Sequence, residues 1–81
     1  MQTETIKQLI EASLSNSQVL VEGDGAHFTA IVVSLAFVGK SRLERQQLIN
    51  IAVKEQLLDG TLHALSIKTF TPDEWQQCKQ T

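Results

Sequence analysis

Two histidines are the residues of this chain best suited to chemistry. His63 opens the run His63-Ala64-Leu65-Ser66-Ile67-Lys68-Thr69-Phe70, which leads into Thr71-Pro72-Asp73-Glu74-Trp75. That pattern predicts a buried strand entering a capped helix, with an imidazole at the strand's entrance. A strand end is a rigid mount, and an imidazole held there serves as a metal ligand, a base or a pH-sensitive contact. The competing reading is structural, a histidine of intermediate burial hydrogen-bonded to a helix end. His27 stands beside the turn signal Gly23-Asp24-Gly25 and begins a second β-branched run. A hairpin there brings it near the entrance of the His63 strand, although a half-exposed strand-end histidine needs no function. Asp24 is a weaker candidate, because aspartate in a turn usually serves the turn.

These residues do not close a metal site by themselves. Structural zinc takes four ligands, and the chain has two histidines and one cysteine. A site at His63 therefore needs ligands from another molecule. Cys78 stands between Gln77 and Lys79 near the chain end, where an exposed, unreactive thiol is the default. Ser41 has a capping position and no histidine close in sequence. No nucleophile–base pair is legible, so an enzyme is not expected.

A second kind of chemistry is electrostatic. Lys40, Arg42 and Arg45, with Lys54 and Lys68 further on, make a candidate basic patch around a helix start. A helix N-terminus also attracts phosphate. Against nucleic-acid binding stand a net charge of −2, Glu44 and Glu55 on the same helix, and few aromatics. Phe28, Phe37, Phe70 and Trp75 read as core residues rather than stacking platforms.

The elements that must position these residues are short. An 81-residue chain is one small domain, residues 1–81. Its 42% hydrophobic and 20% charged content is ordinary for a globular protein. A single cysteine excludes an internal disulfide and fits a reducing, cytoplasmic setting. The longest apolar stretch, residues 30–38, is too short for a membrane span, and no targeting signal is visible.

Ile6, Leu9, Ile10 and Leu14 predict an amphipathic helix over residues 3–13, capped by Thr3 or Thr5. Residues 18–22 and 27–35 predict a β-hairpin. Strand alternation puts Phe28, Ala30, Val32 and Ser34 on one face, and His27, Thr29, Ile31, Val33 and Leu35 on the other. Ser41 and Glu44 form a capping box, so one long helix starts at Arg42. Its expected core stripe is Leu43, Leu48, Ile51, Ala52 and Leu58, broadened by Val53 and Leu57, and Gly60 ends it. Residues 63–70 form the third strand. Thr71 and Glu74 make a second capping box, with Pro72 at the first helical position.

The order is α-β-β-α-β-α. An antiparallel hairpin plus a right-handed strand–helix–strand crossover gives an α+β fold, a three-stranded mixed sheet with helices packed on one face. The order is shared with KH-type RNA binders, but no Gly-x-x-Gly loop between two helices is evident.

His27-Phe28 opening a strand, Val32-Val33-Ser34 within it, Phe37-x-Gly39-Lys40, Leu43-x-Arg45, and His63-Ala64-Leu65-x-Ile67-x-Thr69-x-Thr71-Pro72-x-Glu74-Trp75 together resemble the BolA family. The resemblance runs over residues 18–75, and the ordered set is far more specific than any piece. The short hairpin and small size are most similar to the bacterial YrbA/IbaG-like branch. The resemblance implies a class II KH-like fold and a non-enzymatic partner of monothiol, CGFS-type glutaredoxins. It implies a [2Fe-2S] cluster shared with the glutaredoxin and glutathione, with His63 as ligand and His27 as candidate second ligand. Imidazole in place of thiolate raises such a cluster's potential. Many members carry a second ligand, cysteine or histidine, in a longer hairpin loop; here the loop is short and its middle is Asp24. The resemblance also implies a stress-response role and DNA-binding transcriptional regulation through Lys40, Arg42 and Arg45. Gln46 and Gln47 follow Arg45 where BolA itself is more basic, which favours the cluster reading. The isolated chain is expected to be a monomer or weak homodimer without its own cofactor.

Overall fold

The structure, a computed structural model, describes residues 2–79. Its elements are α1 (Thr3–Ser13), β1 (Ser17–Gly23), β2 (His27–Ser34), a 3-10 turn (Leu35–Phe37), α2 (Arg42–Ala52), α3 (Lys54–Leu58), β3 (Ala64–Phe70) and α4 (Pro72–Lys79). The sheet order is β1-β2-β3, so β2 is central. β1 pairs antiparallel to β2, from Ser17 opposite Ser34 to Gly23 opposite Phe28. β3 pairs parallel to β2, from His27 beside Ala64 to Val33 beside Phe70. The mixed α+β sheet expected from the sequence is the one observed.

Alternation along the strands sorts the side chains. Val19, Phe28, Ala30 and Val32 are buried on one face, with Leu65 and Ile67 packed at its margin. Ile6, Ile10 and Leu14 of α1 and Ile49 and Val53 of α2 join that core. Burying each large apolar side chain contributes about 1.5–3 kcal/mol relative to leaving it exposed. The two main helices therefore pack on the Phe28, Ala30 and Val32 face, one of the two that strand alternation offers.

Four local expectations are corrected. Neither Thr3 nor Thr5 caps α1: the cap is Gln2, which makes no side-chain bond, and its carbonyl accepts from the Thr5 and Ile6 amides. The long helix is two, because Val53 leaves helical geometry at φ −114°, ψ 17°. Its buried stripe is also different. Val53 is buried and Leu48 and Ala52 pack against the core as expected, but Ile49 is also inside, whereas Leu43, Ile51, Leu57 and Leu58 are exposed. The inward face also carries Arg45 and Gln56, polar residues that hide the stripe from an apolar count. Finally, β3 begins at Ala64 rather than His63, and it is a half-buried edge strand. Both capping boxes form: Ser41 with Glu44, and Thr71 with Glu74.

Candidate functional site

His63 lies in the irregular segment before β3 and is exposed. Its place is set by its neighbour. Leu62 is 2% exposed, and its amide donates to the Gln56 carbonyl at 3.0 Å. That anchor pins the chain where it leaves α3 and enters the sheet. His27 is exposed at the first position of β2, in register with Ala64. Paired strands lie about 4.8 Å apart. The sheet therefore brings both histidines to one end, as the hairpin argument requires.

Asp24 serves the turn. Its Oδ1 accepts from the Ala26 amide at 3.0 Å and the His27 amide at 2.9 Å. The His27 amide, then that of Ala26, holds the Asp24 carboxyl below the usual aspartate value. The turn is closed further by the Asp24 amide, which donates to the His27 carbonyl at 3.3 Å. Asp24 thus fixes the backbone of His27. Among the described residues, no group of three or more His, Cys, Asp or Glu side chains can hold a metal ion. His63 and His27 are the two exposed imidazoles at this end of the sheet.

The basic residues gather at a different place. Lys40, Arg42, Arg45 and Lys68 line one groove along β3, of about 960 Å³. Lys54 is not among them; it borders an apolar surface with Ile51, Leu57 and Leu58. Arg45 is already engaged. Its Nη1 donates to Glu74 Oε1 at 2.8 Å and its Nε to the Lys40 carbonyl at 3.1 Å. Its guanidinium carbon stands 5.8 Å from the centre of the Phe37 ring. Glu74 Oε1 also accepts from the Thr71 amide at 2.8 Å. The Arg45 guanidinium, then the Thr71 amide, holds the Glu74 carboxyl below its ordinary value.

This tie between α2 and α4 was not read from the sequence. Arg45 and Glu74 are 29 positions apart, so no local spacing reveals it. The capping box did place Glu74 at the start of α4; what it hid was the second partner.

The chain matches the BolA-like protein family over residues 4–74. It belongs to the BolA family. It is 40% identical to the acid stress protein IbaG of Escherichia coli K12, over 93% of this chain and 89% of that one. It is 35% identical to a protein of Vibrio cholerae named DNA-binding transcriptional regulator BolA, covering 98% of this chain and 71% of the other. Among solved structures, a BolA homologue from Coxiella burnetii superposes with a TM-score of 0.83 at 44% identity, covering 94% and 97%. This BolA-like chain shares its overall fold with that structure. No helix among the described residues is long and apolar enough to cross a membrane.

Proposed function

We propose that this BolA-like chain is a partner of a monothiol glutaredoxin in the binding, trafficking or sensing of a [2Fe-2S] cluster. His63 supplies one ligand to a cluster whose other ligands come from the glutaredoxin and glutathione. His27 is the second candidate ligand, and Asp24 positions its backbone. The observation that carries this reading is the pair of exposed imidazoles at one sheet end, with no closed ligand set around them among the described residues. Imidazole ligation raises the potential of a [2Fe-2S] centre relative to all-thiolate ligation. The protein's own part is to hold an imidazole on a stem fixed by Leu62 while leaving it open to the partner.

The test is a titration of a [2Fe-2S]-loaded monothiol glutaredoxin, with glutathione, by this protein. Visible absorption and circular dichroism are followed for the wild type and His63→Ala. A spectral change complete at one equivalent is expected, and His63→Ala should abolish it while keeping a folded far-UV spectrum. No change with the wild type removes the cluster role.

A second reading, DNA binding by a stress-response regulator, is favoured by one observation: Lys40, Arg42 and Lys68 line a common groove. Each phosphate neutralised releases counterions, so such binding weakens steeply with salt. Double-stranded DNA binding that Lys40→Glu with Arg42→Glu removes is the expected result on this reading. Retention that ignores both salt and the charge reversal sinks it.

A further inference from the structure

β3 is paired on one side only. Its inner edge bonds to β2, and β1 closes the far side of the sheet. Among the described residues, no backbone group of Ala64–Phe70 bonds to any other element. A free strand edge presents a row of N–H and C=O groups able to pair with another extended chain. Here that edge does not face open surface. It forms the floor of the groove walled by the start of α2 and by α4.

The groove has a sign. Arg45 and Glu74 both line it, but they neutralise each other at 2.8 Å. Lys40, Arg42 and Lys68 then remain, and all three are exposed. Glu44 lies near Lys40, but its carboxylate accepts from the Ser41 amide in the capping box. The net lining is cationic on a chain whose overall charge is −2.

We propose that the β3 groove binds an extended, acidic peptide segment of a partner protein, which adds to the sheet as a fourth strand. Backbone pairing supplies the affinity and alternate side chains supply the selectivity. Ser66 and Lys68 alternate along β3 with the half-buried Leu65, Ile67 and Thr69. The peptide therefore meets a polar, cationic row and an apolar row at a repeat of about 3.3 Å per residue. Nucleic acid fits less well. Among the described residues Phe70 is the one aromatic of the lining, and its ring already packs on Trp75 at 5.2 Å. A second copy of this chain also fits less well, because edge-to-edge pairing brings two cationic linings of the same sign together. This site is independent of the glutaredoxin reading, and it is tested on the isolated protein without a cluster.

The probe is a fluorescein-labelled peptide of alternating glutamate and valine, seven residues long to match β3. Anisotropy should show saturable binding. N-methylation of one alternate set of peptide amides should weaken it by about tenfold or more, and methylation of the other set should not. Arg42→Glu with Lys68→Glu should weaken it comparably, and the milder Arg42→Gln with Lys68→Gln should do so in part; far-UV dichroism confirms that both stay folded. Amide exchange in β3 should slow on binding. No binding, or equal effects of the two methylated sets, overturns the proposal. Equal binding of a lysine–valine peptide overturns it too. Tighter competition by a single-stranded oligonucleotide reassigns the groove to nucleic acid. Dimers that the peptide disperses in sedimentation reassign the edge to self-association.

Discussion

Ile49→Ala and Ile51→Ala separate the observed packing of α2 from the one its apolar pattern suggests. The same chemical change is made two positions apart on one helix. Ile49 is fully buried and Ile51 is 66% exposed. Removing three buried carbons from Ile49 costs about 2.4 kcal/mol at about 0.8 kcal/mol each. The cavity left in the core raises that to about 3–4 kcal/mol, within the range for isoleucine truncations. At Ile51 only a third of the side chain leaves contact, costing about 0.8 kcal/mol, and the better helix propensity of alanine returns a few tenths. The net cost there is about 0.5 kcal/mol. A domain of this size has about 4–12 kcal/mol of total stability, so the first variant loses a large fraction. Urea unfolding followed by far-UV dichroism and Trp75 fluorescence reads both, with a common m-value confirming comparable unfolding. In thermal melts the Ile49 variant should fall by roughly 12–30 °C and the Ile51 variant by a few degrees. If Ile51→Ala costs as much as Ile49→Ala, the break at Val53 and the facing of α2 are wrong.

Two further perturbations probe what holds the ends of the sheet. Gly23→Ala should destabilise by about 1–3 kcal/mol in urea unfolding, because a Cβ there overlaps the Phe28 ring and stands 2.7 Å from the His27 carbonyl oxygen; wild-type stability would show that the hairpin opens freely. Glu74 has a folded-state pKa below its ordinary 4.5, chiefly through Arg45. Its contribution is therefore fully present above about pH 4.5 and lost as pH falls through the depressed folded value. Trp75 fluorescence should report loosening of α4 in that acid window, and Glu74→Gln should remove the step; an unchanged step in the variant would assign it to another carboxyl.

The parts of the fold that the sequence disclosed are those written in local chemistry. Ser41 with Glu44 and Thr71 with Glu74 bond across three positions, so spacing alone reveals them. The two faces of β2 were legible as sets, because Phe28, Ala30 and Val32 alternate with Ile31 and Val33 at a period of two; both sets are apolar, so alternation alone did not say which one the helices cover. α2 was misread because it carries two stripes. Leu43, Gln47, Ile51 and Leu58 follow one helical line, and Arg45, Ile49, Val53 and Gln56 follow the opposite one. The outward line is the more apolar in composition, and only tertiary contact with α1 and the sheet selects the inward one. His63 and His27 were found by residue type and brought together by register, which the parallel crossover implies. The β3 groove was not legible as a groove. Its cations were named, but the free strand edge beneath them exists only once β3 is placed at the sheet's border.

The position of His63 makes it open to an unusually direct test, and the reason lies in the residue before it. A ligand that must be both fixed and accessible faces opposing demands. Burial fixes a side chain and also hides it. This chain divides the two demands between neighbours. Leu62 takes the burial, joining the core cluster and tying its amide to the Gln56 carbonyl. His63 keeps the exposure. Removing the His63 imidazole therefore leaves the core contacts of Leu62 and the β3 register intact, so lost cluster ligation in His63→Ala is not unfolding in disguise. His27 has the same arrangement on the adjoining strand. Phe28 is buried behind it, and Asp24 holds its amide in front. Each imidazole thus stands next to a buried anchor at the same end of the sheet. On the proposed reading, His63 needs only the short segment between Leu62 and Ala64 to be held, and the burial of Leu62 and the pairing of β3 hold it from both sides.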